Sequence, residues 1–203
     1  CKRLNKLQIV EYAEPWYICY PDIQHNDPMR EEQWGLDICH ANEAHDIHIG
    51  NLNTPIAIID TGMDMDHPDL RPNLWVNPGE DLNGDRQIQD WEVNGIDDDH
   101  NGVADDFHGW DFYMNDNNPE DERGEEGYRF WGHGTHCAGI ASAVTNNQQG
   151  VASLGFNCPI IPVRTGRDQI EYGYQGIVYA ANCGAKIINC SWGGGERTEW
   201  NQE

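Results

Sequence analysis

Residues 56–62 read Ile56-Ala57-Ile58-Ile59-Asp60-Thr61-Gly62, an apolar run that ends in an acid, a threonine and a glycine. The run is too short and too uniformly apolar for an amphipathic helix, and it predicts a strand buried on both faces of a parallel sheet. Asp60 then lies at the carboxyl end of this strand. In open α/β sheets, functional sites usually form in the crevice at that end.

A second segment, residues 131–139, has the sequence WGHGTHCAG. His133 opens a helical stretch there, and a histidine at the start of a helix can meet Asp60 at the crevice. In acyl transfer a histidine removes the proton of the attacking hydroxyl, while a carboxylate orients the imidazole and stabilises its charged form. Asp60 and His133 are therefore the candidate carboxylate and base of a catalytic triad.

Strand and helix patterns alternate along the rest of the chain. Strands are predicted over 55–59, 159–164 and 185–190, and helices over 134–145 and 169–183. This order is that of βαβ units in a parallel sheet. In the second helix, helical spacing predicts a buried face formed by Ile170, Tyr174, Ile177, Val178 and Ala181.

These segments resemble those of the subtilisin-like serine proteases, and three more strengthen the match: QWGLD at 33–37, HPDL at 67–70 and NCSWGG at 189–194. They occur in the family's order, with the aspartate before the histidine. The resemblance implies an α/β fold, a doubly wound parallel sheet with helices on both faces, incomplete at the C-terminus. It also implies a serine endopeptidase that hydrolyses polypeptide substrates through an Asp-His-Ser triad.

The resemblance also assigns roles to a further segment. Ser191, Trp192 and Gly193 match the stretch whose backbone pairs with an extended substrate, a form of recognition by strand addition. None of the three serines in the chain has the Gly-Thr-Ser-x-Ala context of the family's nucleophile. The nucleophile and the oxyanion-hole asparagine are therefore expected beyond Glu203, and this chain alone is expected to be inactive.

The N-terminal region has a different composition from the rest. Residues 9–21 alternate and are rich in β-forming side chains, and a polar stretch, residues 22–32, follows. This pattern predicts a strand and then a linker. By resemblance, residues 1–24 are the tail of an inhibitory propeptide with its linker, and residues 25–203 are the N-terminal part of the catalytic domain. An ordinary edge strand is the alternative. The expected partners are polypeptide substrates and the protein's own propeptide, and the expected location is secreted or on the cell surface.

Acidic side chains dominate the composition. The formal net charge is −23 at pH 7, and 17 of the 35 acidic residues lie between Glu80 and Glu126. We expect no nucleic-acid partner, because phosphate contacts need the opposite sign. Charge this dense needs cations or extensive solvation to offset self-repulsion. The apolar runs are too short for a transmembrane helix.

The acidic insert, about residues 78–126, contains two stretches with the character of calcium loops. In the first, oxygen-bearing side chains occupy loop positions 1, 3, 5 and 12, namely Asp81, Asn83, Asp85 and Glu92. Arg86 holds position 6, where the sharp turn normally needs glycine. This loop is therefore expected to bend differently or to bind calcium weakly, and a solvated acidic loop without an ion is the alternative.

The second stretch offers the candidate ligands Asp97, Asp99, Asn101 and Asp105. This many oxygen ligands suits a hard cation, so structural Ca²⁺ is the expected cofactor, again with a solvated loop as the alternative. Asp69, nine residues after Asp60, matches the family's calcium-binding aspartate by resemblance. A helix-capping role is the alternative for Asp69.

Three other interpretations account for parts of the sequence. Asp-Thr-Gly after an apolar run is also typical of the aspartic proteases, but these need a second such segment, and the chain has none. His133 and His136 could form a metal pair, although no glutamate lies between them as in helical zinc proteases. The third interpretation is a non-catalytic calcium-binding pseudoprotease or surface module of the same fold. By resemblance, Cys137 lies beneath the catalytic histidine as a free thiol.

Overall fold

A parallel sheet forms the centre of the chain in the computed structural model, which describes residues 4–7, 9–13, 23–121 and 129–194. Within these residues the strand order is β2-β3-β1-β4. The strands are β1 (Ile56–Asp60), β2 (Trp110–Asp111), β3 (Ile160–Arg164) and β4 (Ile187–Asn189). The α-helices are α1 (Trp34–Ile38), α2 (Ala41–Ile47), α3 (His133–Ser142) and α4 (Gly173–Asn182). Short 3₁₀ turns occupy Leu4–Lys6, Arg30–Glu32 and Arg71–Asn73.

Strand β1 lies between two parallel neighbours, and all five of its residues are buried. It pairs with β3 from Ile56↔Ile160 to Asp60↔Arg164, and with β4 from Ile56↔Ile187 to Ile58↔Asn189. The far edge of β4 has no pairing strand among the described residues, and Ile187 is 52% exposed there. The prediction of a buried strand from the apolar run is confirmed.

The two faces of β1 contribute to two different apolar cores, because successive side chains of a strand point to opposite faces. Ile56 and Ile58 pack in a core that includes Ala138 of α3. Ala57 and Ile59 pack in a core that includes Tyr179 of α4. Helices therefore cover both faces of a parallel sheet, which confirms the predicted doubly wound α/β fold.

The buried face of α4 differs from the prediction. Tyr174 and Val178 are 69% and 61% exposed, whereas the buried residues of the helix are Gly173, Gly176, Tyr179 and Ala180. A Cβ atom on Gly176 would lie 2.6 Å from the Cγ2 atom of Thr165. The helix therefore approaches the sheet through its small residues. Ile177 packs against the core as predicted, whereas Tyr174 and Val178 were wrongly predicted to be buried.

The strand predicted over residues 9–21 is also wrong for the part that the structure describes. Residues 9–13 form no strand, and Ile9 is 93% exposed. Residues 14–21 lie outside the described residues. Alternation alone predicts a strand poorly when no neighbouring strand is present to pair with it.

A buried ion pair joins β2 to β3. The Arg164 guanidinium donates a hydrogen bond of 3.0 Å to a carboxylate oxygen of Asp111, and both side chains are 1% exposed. The other carboxylate oxygen of Asp111 accepts the backbone N–H groups of Tyr113 and Met114. Burial raises the pKa of Asp111, and the positive charge of Arg164 opposes that rise. The pair therefore fixes the part of the acidic insert that contains β2 to the sheet.

No helix in the described part of the chain combines the length and the hydropathy that a membrane span requires.

We expect Asp111→Ala to lower the free energy of unfolding by about 3 kcal/mol, because it removes a buried carboxylate that pairs with the buried Arg164 guanidinium. Urea unfolding of the full-length protein measures this loss. Asp66→Ala is the matched control, since Asp66 pairs with Arg71 at 3.3 Å between side chains that are 85% and 68% exposed. That variant should lose less than about 1 kcal/mol. Equal losses in the two variants would contradict the anchoring role of the buried pair.

Candidate active site

The last residue of β1 and the first residue of α3 are in direct contact. The imidazole Nδ1 of His133 lies 2.7 Å from the Oδ1 atom of Asp60. The Asp60 side chain is 1% exposed, whereas the His133 side chain is 39% exposed. The bond occupies Nδ1 and leaves Nε2, the nitrogen that acts as the base in such pairs. The predicted carboxylate and base are thus brought together, with the histidine accessible from the surface.

Residues adjacent to the pair hold it in place. The backbone N–H of Thr61 donates to Asp60 Oδ1 at 2.8 Å, and the N–H of Gly134 donates to the Thr61 hydroxyl at 3.3 Å. A Cβ atom on Gly134 would collide with the backbone carbonyl oxygen of Gly62. Only glycine therefore lets the start of α3 approach the end of β1 this closely.

Cys137 is the nearest sulfur to this pair. Its Sγ atom lies 4.0 Å from His133 Nδ1, and Asp60, His133 and Cys137 offer ligand atoms within 4.8 Å of one another. Burial raises the pKa of the Cys137 thiol.

The predicted substrate-binding segment lies beside the same pair. The indole N–H of Trp192 donates to the backbone carbonyl of Ile59 at 2.7 Å, one residue before Asp60. The Trp192 ring also covers Gly173 at the start of α4. Residues 191–194 make no backbone–backbone hydrogen bond to any part of the chain that the structure describes. Their peptide groups are therefore available to a bound strand.

One cleft of about 780 Å³ joins these elements. Its lining includes Asp60, Thr61, Phe130, His133, Arg167, Asp168, Gln169, Ile170, Tyr174, Ser191, Trp192, Gly193 and Gly194. The Phe130 ring meets the His133 imidazole edge-on, with 6.4 Å between their centres. The catalytic and substrate-binding residues that the sequence predicts thus line a single cleft.

Asp69 lies apart from the acidic insert and faces a loop that follows α3. Its Oδ1 accepts the side-chain amide of Asn147 at 2.7 Å, and its Oδ2 accepts the N–H of Val151 at 2.9 Å. Asp27 accepts the backbone N–H of Asn147, so the carboxylates of Asp27 and Asp69 both accept hydrogen bonds from the same residue. Asp69 does not cap a helix, because Leu70 precedes the turn Arg71–Asn73 and no side chain caps it. Neither Asp27 nor Asn147 stands out in the sequence, since each lies far from Asp69 along the chain.

The first predicted calcium loop is closed by its own hydrogen bonds. Asp81 accepts the N–H groups of Gly84 and Arg86, and Glu92 accepts those of Asn83 and Gln89. Asp85 accepts the backbone N–H of Gln87. Arg86 has a φ of 62°, so it adopts the left-handed conformation that glycine normally supplies at this position. The four predicted ligands thus lie around one turn. Among the described residues, no three carboxylates of this turn place their oxygens within 4.8 Å of one another.

The second predicted loop divides into two parts. Asp97 accepts the N–H groups of Asn101 and Gly102, and Asp105 accepts those of Asn94 and Gly95 on the outer side of the insert. Asp99 instead turns inward. It lies with Glu80, which was not among the predicted ligands, and with Asp106, the carboxylate that follows Asp105 in the same stretch. Burial raises the pKa of Glu80 to about 7 and that of Asp106 to about 6. Glu80 lies 17 residues before Asp97, outside the stretch that the sequence predicts to bind calcium.

Comparison with known proteins identifies the family of the chain. The model of the Subtilase family matches residues 52–202. The chain is 35% identical over 174 residues to subtilisin-like protease 1 of Plasmodium berghei (strain Anka), an alignment that covers 82% of this chain and 26% of that protein. It is 34% identical over 197 residues to the thermophilic serine proteinase of Bacillus sp. (strain AK1), which covers 95% of this chain and 39% of that protein. The chain therefore spans less than half the length of either relative.

A solved structure agrees at the level of the fold. A protease of Pseudoalteromonas arctica superposes with a TM-score of 0.61 at 24% identity, over 88% of this chain and 53% of that one. The family match begins before β1 and extends past β4, so that it contains the whole parallel sheet and both residues of the Asp60–His133 pair. This chain belongs to the subtilase family.

Proposed function

We propose that this chain supplies the aspartate and the histidine of a serine endopeptidase, whose nucleophilic serine follows Glu203 in the full-length protein. The observation that carries the proposal is the 2.7 Å bond between His133 Nδ1 and Asp60 Oδ1 at the mouth of a cleft. Membership of the subtilase family is incompatible with the aspartic-protease alternative, and the partner of Asp60 is an imidazole rather than a second carboxylate.

In this proposal His133 Nε2 removes the proton of the serine hydroxyl as the hydroxyl attacks the peptide carbonyl. It then returns the proton to the leaving amine. Asp60 keeps the imidazole in the tautomer that carries its proton on Nδ1, and it stabilises the imidazolium that forms in between. The burial of Asp60 supports this role, because a carboxylate shielded from water acts more strongly on a neighbouring charge. The chain without its serine would be inactive.

The substrate would lie along residues 191–193 as an added strand. Their free peptide groups and the Trp192–Ile59 hydrogen bond support this role, because the bond places the segment at a fixed distance from the catalytic strand. Main-chain hydrogen bonds would supply affinity without strict side-chain selection. The substrates would therefore be extended polypeptides.

Calcium would stabilise the protein at Asp69. The donor set supports this proposal, because Asp69 and Asp27 are 2% and 4% exposed and both reach the loop at Asn147. Hard cations prefer carboxylate and carbonyl oxygens of this kind. The two predicted loops of the acidic insert remain candidate calcium sites as well. We propose a secreted or cell-surface location, where millimolar calcium can fill even weak sites.

The first 24 residues would be the end of the propeptide and its linker. Hydrogen bonds from the N-terminal region to the body of the protein support a boundary there: Ile23 donates to Asp46 and Asn26 to Asn146, both through their backbone N–H groups. The catalytic domain would therefore begin near residue 25.

A pseudoprotease of the same fold is the second candidate, and the triad residues distinguish the two. In the full-length protein we expect Asp60→Asn to lower kcat/KM on a peptide substrate by about 10⁴-fold and His133→Ala to lower it by about 10⁶-fold. His136→Ala is the control, because it removes an exposed histidine of the same helix and should change kcat/KM little. Phenylmethylsulfonyl fluoride should modify one serine beyond residue 203 in the wild-type protein and none in His133→Ala. Absence of labelling in the folded wild-type protein would favour the pseudoprotease.

Gly193 allows a direct test of strand addition. Gly193→Pro removes the N–H group that a bound strand would use, so kcat/KM for a hexapeptide should fall about tenfold or more. Hydrolysis of a small ester, which makes no main-chain pairing, should be nearly unchanged. Gly193→Ala keeps the N–H group, and its Cβ atom would meet nothing within 4 Å, so that variant should behave like the wild type. Parallel losses on peptide and ester in Gly193→Pro would refute the assigned role.

Removal of calcium should destabilise the protein through Asp69. Calcium at about 100 times its Kd adds about 2.7 kcal/mol to the free energy of unfolding, so EDTA should lower the Tm. Asp69→Asn should lower the Tm in calcium and reduce the difference that EDTA makes. Asp66→Asn, an exposed aspartate three residues earlier, is the control. An unchanged calcium-dependent shift in Asp69→Asn would exclude Asp69 as a ligand.

A further inference from the structure

The segment that leads into α3 carries a positive charge to the rim of the cleft. The guanidinium carbon of Arg129 lies 5.9 Å from the centre of the Phe130 ring, a cation–π contact, and Phe130 itself lines the cleft. The same ring meets the His133 imidazole edge-on, with 6.4 Å between the two ring centres. Together the two distances amount to no more than about four residues of an extended strand. Phe130 therefore holds the guanidinium close to the proposed base.

Hydrogen bonds fix the backbone from which this side chain extends. The N–H of Arg129 donates to Asp168 Oδ1 at 2.9 Å, which joins the segment to the loop that follows β3. The N–H of His133 donates to the carbonyl oxygen of Phe130 at 3.0 Å, and this bond closes the turn before α3. The position of the Arg129 backbone relative to His133 is therefore determined by contacts on both sides of it.

The Arg129 guanidinium has no carboxylate partner among the residues that the structure describes. The arginines that form ion pairs there are Arg30, Arg71 and Arg164, whereas the side chain of Arg129 is exposed and contacts only an aromatic ring. Stacking on a ring leaves the N–H groups at the edge of the guanidinium available. These groups match the two oxygens of a carboxylate in a bidentate pair. The guanidinium can therefore bind a carboxylate of another molecule.

The charged groups along the cleft favour a negative ligand over a positive one. Arg167 and Asp168 both line the cleft, and the Asp60 carboxylate is buried and already bonded to His133. Among the exposed groups described there, Asp168 therefore offsets one of the two arginine charges and leaves the other. The chain as a whole has a formal net charge of −23. The rim of the cleft thus differs in sign from the rest of the chain, which favours the approach of acidic side chains to this place.

We propose that Arg129 is a specificity-determining residue that binds an acidic side chain of the substrate near the scissile bond. This inference rests on the proposed peptidase and adds a preference to it, because main-chain pairing along residues 191–193 does not select among side chains. The short distance from the guanidinium to His133 places the acidic residue within about four residues of the scissile bond. The preferred substrates are therefore polypeptides with Asp or Glu in that range. If Arg129 only shields Phe130 from solvent, no such preference exists.

Matched peptides test this preference in the full-length protein. Octapeptides with one Glu, placed at each position in turn, are compared with the same peptides carrying Gln, which has the same size and no charge. We expect kcat/KM for the Glu peptide to exceed that for the Gln peptide about fivefold or more at one position, at low ionic strength. The ratio should fall in about 0.5 M NaCl, because salt screens an exposed ion pair.

Four variants assign the preference to one side chain. Arg129→Gln should bring the Glu/Gln ratio close to one, and Arg129→Glu should bring it below one, because the charge is then reversed. Asp168→Asn keeps an oxygen that can accept the Arg129 N–H and removes the opposing charge, so the ratio should rise. Lys186→Gln is the control, since it removes an exposed positive charge before β4, away from the carboxyl ends of the strands. Its ratio should equal that of the wild type.

Binding without turnover separates this inference from the proposed function. The Kd of the same peptides for full-length His133→Ala protein, measured by fluorescence anisotropy, should show the same preference for Glu, and adding Arg129→Gln should remove it. Cleavage with equal rates for Glu and Gln peptides at every position, or an unchanged ratio in Arg129→Gln, would overturn the role of Arg129 and leave the peptidase intact. A preference in binding that requires Arg129, without cleavage by the wild type, would refute the peptidase and retain the Arg129 site.

Discussion

The burial of strand β1 on both faces is the constraint on which the rest of the structure depends. All five of its side chains are buried, so α3 must cover one face and α4 the other. The strand ends at the cleft, and its last residue is Asp60. The contact with His133 then follows from one close approach, in which Gly134 lies against the backbone of Gly62. The contact between Asp60 and His133 is therefore a consequence of packing as much as of hydrogen bonding.

Much of the fold could be predicted from the sequence, because the signals are local. Four apolar residues before Asp60 predict a buried strand, and the segment around His133 predicts the helix that meets it. The face of α4 could not be predicted in this way. Tyr174 and Val178 have the expected spacing, but Gly176 and Ala180 are smaller and allow the helix to approach the sheet. Periodicity reports where apolar side chains recur, whereas packing also depends on size.

The residues of the Asp60–His133 cleft and the carboxylates outside it differ in how far the sequence predicts their contacts. Asp60, His133 and Ser191 lie in short segments that can be recognised one at a time, and the fold brings them to one cleft. Glu80 belongs to no such segment, and Asp69 meets Asn147 only after the chain has folded. Carboxylates that converge from separate parts of a chain have no spacing rule. Their relation becomes visible only through burial and through the hydrogen bonds that each oxygen makes or lacks.

The pairing of β1 with β3 joins Ile56 to Ile160, with the acidic insert and the whole of α3 between them. Contacts so distant in sequence slow folding, because the entropy of closing the loop is lost before any pairing energy is gained. The intervening segment also repels itself while it is unfolded, since acidic side chains far outnumber basic ones there. Salt or divalent cations in the refolding medium should therefore shorten the time in which the sheet forms. We therefore expect the rate at which the protein reaches its native state to depend on the ionic composition of its surroundings as well as on its own sequence.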